Sequence, residues 1–327
     1  MKKIRNYIIG ALLLAVWIVG YVIDGGVTNS VVSAGVRLGM PLALAAMVGI
    51  MCERSGVINI GIEGTMLLSG FTGFYAGVYS KNVLIGFAAA ILAGVIASFL
   101  HAMMTIKWQM DQIIAGTIIN ILASGLTSFL YVPGVTIPNN WPIFDIPLLS
   151  KIPFIGQAFF SQQGPVQYLG LLFIPMMWVL MYKTRWGLRT RSIGENPGSA
   201  DTAGVSVIRM RMTNVVLGGA IGGLVGGFIC LELVGSFSKE FTAGAGFTAL
   251  ALMIFGRWNP LGAFAAAIAF GFAQALSTQL QIFGVKEIPQ QFINILPYVF
   301  TIAVLAFSAG KVRPPAAAGQ PYEKEKA

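Results

Sequence analysis

Charge is what this sequence has least of. Only 10% of its 327 residues are Asp, Glu, Lys or Arg, against about 25% in ordinary soluble domains, and a water-soluble globule is thereby excluded. Cysteine and histidine are scarce as well. The two cysteines, Cys52 and Cys230, offer no disulfide framework and no metal-ligand cluster, and read as small packing residues. The single histidine, His101, has no second histidine or clustered carboxylate motif to work with, so it reads as a hydrogen-bonded interfacial residue and not as a catalyst. No Gly-x-x-x-x-Gly-Lys-Ser/Thr sequence occurs, so this chain does not carry the loop that cradles ATP in P-loop enzymes. An enzyme reading is therefore set aside, and no cofactor or metal is expected in the chain.

What the sequence has is apolar length. Apolar residues make up 56% of it, with 40 glycines besides. Splitting it at the charged residues leaves ten uncharged runs of at least 15 residues: 6–23, 38–52, 64–80, 82–106, 112–144, 152–182, 212–231, 241–256, 258–285 and 288–310. A bilayer crossing needs about 20 predominantly apolar residues. The expected fold is an all-α integral membrane protein of about ten transmembrane helices, with residues 1–310 forming one polytopic domain. Pro314-Pro315-Ala316-Ala317-Ala318-Gly319 and the mixed-charge end after it read as a disordered tail, 311–327.

The net charge of +9 would suggest nucleic acid in a soluble protein, but in a membrane chain it speaks of orientation. With an inside N-terminus and ten alternating spans, sixteen Lys and Arg residues fall inside, from Lys2 to Lys326. Four fall outside, namely Lys81, Lys151, Lys239 and Lys286, and Arg37 lies near a span. Both termini are therefore expected in the cytoplasm, with anionic lipid and not nucleic acid as the surface met. Residues 1–20 have the basic-then-apolar order of a signal peptide. Trp17, Ile18, Val19 and Tyr21 occupy the place of a small-x-small cleavage site, so the segment reads as an uncleaved first span.

Two loops stand out. The outer one, about 133–164, holds Pro133, Pro138, Pro142, Pro147 and Pro153 with Trp141 and Phe144, and reads as an ordered cap or a simple connector. The inner one, 183–212, carries Asn196-Pro197, then Gly198-Ser199-Ala200-Asp201-Thr202-Ala203, then Gly204. Asn is a favoured helix N-cap, Pro is favoured at the first helical position, and Gly supplies the left-handed closing residue. A two-turn helix is expected there, flanked by Arg189, Arg191, Arg209 and Arg211. It could lie on anionic headgroups or fit a groove on a partner.

The stretch from Ser192 through Glu195, Asn196 and Pro197 to Ala203-Gly204-Val205 resembles the coupling loop of permease subunits in ATP-binding-cassette importers. The family includes the ribose, branched-chain amino acid and nucleoside permeases. Glu53-Arg54-Ser55-Gly56-Val57-Ile58-Asn59-Ile60-Gly61-Ile62-Glu63-Gly64, Asp111-Gln112-Ile113-Ile114-Ala115-Gly116-Thr117, and Thr242-Ala243-Gly244-Ala245-Gly246-Phe247 leading to Ile254-Phe255-Gly256-Arg257-Trp258-Asn259-Pro260 are similar to one of the two permeases of nucleoside importers. Two departures stand against this. The leading Glu of the general coupling motif is absent, and Ala245 occupies a position where relatives commonly carry a basic residue. The resemblance implies a bacterial cell-membrane permease and a separate cytoplasmic ATPase that hydrolyses ATP. It also implies an extracytoplasmic substrate-binding protein and a second permease in a heterodimer. Glu195, Asn196, Pro197, Ala200 and Gly204 become the coupling residues.

For a solute path the residues nominate Asn59, Glu63, Asp111, Asn120, Thr242 and Phe247. Asn59 and Glu63 share a helical face at the start of the third span, among Gly56, Gly61 and Gly64. An ionisable group there faces a cavity, pairs with Arg54 or caps a neighbouring helix. The eighth span, 241–256, is short and opens on Thr242, Gly244 and Gly246, five spans after the third, as an inverted repeat with broken spans would have it. Asp111 and Asn120 begin the fifth span. Glycines at 218, 222 and 226, beside 219, 223 and 227, form a double stripe for close packing within the chain or against a second permease. Alternatives to a nucleoside permease are a permease for a sugar such as ribose, or a proton-coupled secondary transporter using Glu63 or Asp111.

Overall fold

The computed structural model describes residues 25–137, 141–152, 156–282 and 313–323, together with 289, 291–293, 295 and 297–299. The expected first span, 6–23, lies outside the described residues, as does most of the tenth, 288–310. Among the described residues the only β feature is an isolated antiparallel bridge between Phe144 and Gln163. The helices are α1 Gly25–Arg54, α2 Ile62–Ser80, α3 Val83–Ala102, α4 Gln112–Leu130, α5 Gly156–Phe160, α6 Pro165–Lys183, α7 Arg185–Glu195, α8 Pro197–Thr202, α9 Val207–Gly227, α10 Ala245–Phe255 and α11 Pro260–Ile282. Helices α3 and α9 each run on into a π turn, Met103–Lys107 and Phe228–Leu233.

Six of these elements are long and apolar enough to cross a bilayer: those built on α1, α3, α4, α6, α9 and α11. Helix α10 is apolar but has 11 residues, about 16 Å at 1.5 Å per residue, roughly half the hydrocarbon thickness. Within the expected eighth span, 241–256, only 245–255 is helical, and the residues before the helix, 235–244, are mostly bends and turns.

The chain divides into two compact units. In the first, formed by 25–39, 143–163 and the described residues from 268 to 299, Gly35 lets α1 meet α11 closely: a Cβ there would lie 2.9 Å from the Phe272 Cα. Asn29 Nδ2 donates to Gln157 Oε1 at 2.5 Å, and Arg37 Nη2 to the Gln162 carbonyl at 2.9 Å. Between them is a cavity of about 540 Å³ lined by Asn29, Ser30, Ser33, Arg37, Gln157 and Ser161. The outer loop accordingly holds a short helix and a bridge, so it is more than a connector.

The second unit holds the rest. Its centre is α2, α3 and α9, and the glycine stripe of α9 explains it. A Cβ on Gly223 would stand 2.5 Å from the Ala90 carbonyl of α3, and one on Gly226 would stand 2.7 Å from the Gly70 nitrogen of α2. No side chain fits on either side, so the stripe packs within the chain. Local caps start the helices as their residue types suggest. Asn82 accepts from Leu84 N at 2.9 Å, Thr184 from Gly187 N at 3.1 Å, and Asn196 from Ser199 N at 3.0 Å. His101, expected to be hydrogen-bonded, is 1% exposed and neither ring nitrogen has a partner.

Candidate functional site

Helix starts inside a bilayer protein expose N–H groups that water cannot reach, and each must find an acceptor. Helix α10 begins on Gly244, whose φ of 83° is the left-handed conformation glycine adopts without strain. Its open N–H groups go to Glu63. The carboxylate accepts from Gly244 N at 2.8 Å and Gly246 N at 2.6 Å, and from the Thr242 hydroxyl at 2.6 Å. Glu63 sits in the first turn of α2, so one negative charge serves the positive ends of two helices. It is 8% exposed and Thr242 4%. Of the three roles open to Glu63, the geometry is that of a cap on a neighbouring helix. Gly246 permits it, since a Cβ there would lie 2.6 Å from Glu63 N and 2.7 Å from its Cα.

The chain approaching α10 runs along α2. Phe237 packs on Phe71, Phe74 and Tyr75, with ring centroids 5.3 Å, 6.5 Å and 6.4 Å away. Phe241 lies against Gly70, and Gly246 against Glu63. Phe74 is spent in this cluster at 1% exposure.

The other side of the Glu63 turn is held by α4. Asn120 Oδ1 accepts from Gly64 N at 2.7 Å while its Nδ2 donates to the Ile60 carbonyl at 3.1 Å. Gln112 Oε1 accepts from Ile58 N at 2.6 Å. Gln112 is the residue that sequence reasoning undervalued. Asp111 beside it is exposed and caps its own helix, accepting from Ile113 N at 2.9 Å and Ile114 N at 3.0 Å. Asn59 is 1% exposed, with its Nδ2 on Cys52 Sγ at 3.6 Å and its Oδ1 buried without a partner. Glu63, Asn120, Thr242 and Asn59 are thus gathered around one turn. Asp111 stands apart from it, and Phe247, in the first turn of α10, is 49% exposed.

The loop helix α8 forms where its punctuation sets it, with Asn196 as cap, Pro197 first and Gly204 at φ 82°. One of the expected coupling residues is turned inward. Ala200 is 5% exposed and packs with Ile193 and Val207 against Val205, Met210 and Tyr322, so it faces the permease itself. The face left outward holds Glu195, Asn196, Gly198, Ser199, Thr202 and Gly204. At the end of α1, whose Arg54 carbonyl lies against Gly194, Arg54 donates to the Trp258 carbonyl at 3.2 Å and the Arg257 carbonyl at 3.3 Å, and Trp258 Nε1 donates to Glu53 Oε2 at 2.6 Å.

Residues 31–305 match the family model described as branched-chain amino acid transport system, permease component. The chain belongs to this family. It is an ABC transporter permease, a multi-pass membrane protein. The nucleoside ABC transporter permease protein NupC of Lactococcus lactis is 39% identical over 298 residues, 88% of this chain and 94% of that protein. The guanosine ABC transporter permease protein NupQ of Bacillus subtilis is 38% identical over 92% of this permease and 98% of its own length. The putative glucose ABC transporter permease protein TsgC13 of Haloferax volcanii is 30% identical over 90% and 97%. In this family ATP hydrolysis belongs to a separate subunit.

Proposed function

We propose that this permease imports neutral nucleosides, with ATP hydrolysed by a cytoplasmic ATPase that engages the 183–212 loop. The observation that carries the reading is the pair of relatives at 39% and 38% identity, each aligned over more than nine-tenths of its own length and each named for nucleoside or guanosine transport. An extracytoplasmic binding protein delivers the solute, and a second permease completes the pathway as a heterodimer. Ten spans, cytoplasmic termini, a bacterial cell-membrane location and an inverted relation between the halves containing α2 and α10 complete the arrangement. The charge asymmetry supports the orientation, and the meeting of two glycine-rich helix starts at Glu63 supports the relation between halves. The apolar side chains that α4 exposes, among them Ile114, Ile118 and Ile121, suit lipid or a second permease.

In this reading Asn59, Glu63, Asn120 and Thr242 shape the path. Asn59 Oδ1 is the acceptor left without a partner, and Phe247 is an exposed ring that can stack on a base. The proton-coupled alternative loses its carriers, because the Glu63 oxygens accept three donors and Asp111 caps α4. A sugar as solute is favoured by TsgC13 alone among the three relatives.

The test is uptake of labelled nucleosides, ribose and glucose in cells with and without this chain. Nucleoside uptake that depends on the chain supports the reading, and uptake of glucose or ribose alone replaces it with the sugar reading. Nucleoside monophosphates are expected to be excluded. An unpaired anion in a low-dielectric path is strongly disfavoured, and no cluster of Lys or Arg stands among the path residues. Uptake of an intact monophosphate at the nucleoside's rate, with surface phosphatase blocked, refutes this.

A further inference from the structure

Residues 313–323, whose composition reads as disordered, are built into the molecule. Residues 316–319 form a turn closed by Ala318 N to the Pro315 carbonyl at 3.0 Å and Gln320 N to the Ala317 carbonyl at 3.2 Å, with Gly319 at φ 79°. That turn is bonded to two different parts of the permease. Ala317 N donates to the carbonyl of Gly194, near the end of α7, at 2.9 Å, and Gly319 N donates to the carbonyl of Gly56, just past α1, at 3.2 Å. Arg211, 2% exposed, clamps both sides of the contact. Its Nε donates to the Ser55 carbonyl at 3.1 Å and its Nη1 to the Gln320 carbonyl at 2.9 Å. Ala317 is 3% exposed, Ile58 lies against Gly319, and Tyr322 packs on the Ile193, Ala200 and Val207 cluster beneath α8.

These contacts place the segment against both the 183–212 loop and the 55–61 chain that leads to Asn59 and Glu63. Gly194 and Arg211 lie within the 183–212 loop, on either side of α8. Gly56 and Ile58 belong to the connection whose next residues are Asn59, Ile60 and Gly61, and Ile58 N is in turn held by Gln112. We infer that residues 313–323 form a positioning strap that ties the coupling loop to the 55–61 turn, so that movement of the loop is transmitted to the residues around Glu63. The inference rests on the reading of 183–212 as the surface an ATPase moves. A strap bonded to both loops through backbone groups of one turn suits this role, because it fixes the spacing of the two loops whatever side chains they carry.

The experiment uses the assembled transporter, with its ATPase, second permease and binding protein, in proteoliposomes, reading ATP hydrolysis and nucleoside uptake together. Three changes are compared with the unaltered chain: deletion of 313–327, Gly319→Val, which strains the φ and drives into Ile58, and Tyr322→Ala. The expected result is ATP hydrolysis within about twofold of normal with uptake reduced about tenfold or more, so that more ATP is consumed per solute. Peptide 313–323 added in trans is expected to restore uptake to the deletion. Normal uptake in all three variants overturns the inference. So does a proportional fall of hydrolysis and uptake in the assembled Gly319→Val and Tyr322→Ala complexes, since that is the mark of a merely structural element. If the deletion fails to assemble, the two point variants decide. If the unaltered complex shows no ATP-driven nucleoside uptake, the functional reading fails instead, a result distinct from any of these.

Discussion

Two junctions in this permease solve the same problem with opposite charges. Around Glu63 the open groups are two N–H donors at the start of α10 and the Thr242 hydroxyl before it, and a carboxylate satisfies them with three bonds of 2.6–2.8 Å. Around Arg211 and Arg54 the open groups are carbonyls of turns and helix ends, at Ser55, Gln320, Arg257 and Trp258, and guanidinium groups satisfy them. The same logic recurs at Glu232, which accepts from Val166 N at 2.9 Å and Gln167 N at 3.1 Å at the start of α6, and at Arg191, which donates to the Met181 carbonyl at 3.1 Å. A chain with few charges thus spends several of them on its own backbone. In a bilayer this is where a charge does most for the fold, since helix ends there have no water to turn to. The carboxylate junction joins helix starts within the bundle, whereas the arginine junction joins loops. The first is expected to tolerate change less than the second.

The largest effect is therefore expected at Glu63. Glu63→Ala leaves three donors without an acceptor, two of them buried and worth about 1–3 kcal/mol each, and removes the charge that faces two helix starts. Uptake is expected to fall at least a hundredfold, with less folded permease recovered in detergent. Glu63→Gln, which keeps an acceptor oxygen but sets an NH₂ among donors, is expected to lie between. Gly246→Ala is expected to match Glu63→Ala, because its methyl would occupy the space of the Glu63 backbone. Size-exclusion recovery and uptake read the two effects separately. Wild-type recovery and uptake for both alanine variants would show the clamp to be dispensable.

Arg211 comes next. Arg211→Ala orphans the Ser55 and Gln320 carbonyls, and hydrogen bonds to a charged group are worth about 1.5–3 kcal/mol. Lysine carries the charge but not a planar fork able to reach two carbonyls. Arg211→Lys is expected to keep membrane insertion and lose several-fold in uptake, and Arg211→Ala to lose more. Should Arg211→Ala prove as damaging as Glu63→Ala in recovery and uptake alike, the contrast between the junctions would vanish.

The features readable in the sequence are those whose cause is local. Asn196, Pro197 and Gly204 mark α8 because capping, fixed φ and left-handed closure are properties of neighbours in the chain. The apolar runs point for the same reason to the six described elements long enough to cross a bilayer. The Glu63 clamp was only one of three roles open to that residue, since Thr242 and Gly246 lie 179 and 183 residues away and nothing in their spacing names the partner. That Ala200 turns inward was not legible, because an alanine in a short helix reads equally well as a knob or as core. The strap at 313–323 was hidden more deeply. Its composition is that of a flexible tail, and the groups that hold it are the Gly194 and Gly56 carbonyls, which every residue possesses.

The smallest effect is expected at Asp111, and it sharpens the comparison from the other side. Like Glu63, Asp111 is a carboxylate at a helix start, but it is exposed and serves only its own helix. Asparagine is about as good an N-cap as aspartate, so Asp111→Asn forfeits only the interaction of charge with the helix end, about 0.3–1 kcal/mol. Uptake driven by ATP is expected to stay within about twofold of normal, with the pH profile unchanged between about pH 6 and 8. A residue carrying protons would behave otherwise, because asparagine cannot release one, and uptake would collapse with the folded permease intact. The Asn variant therefore separates a cap from a carrier. Loss of uptake at normal recovery would return Asp111 to the solute path and reopen the proton-coupled reading, while near-normal uptake leaves Glu63 as the carboxylate on which the site depends.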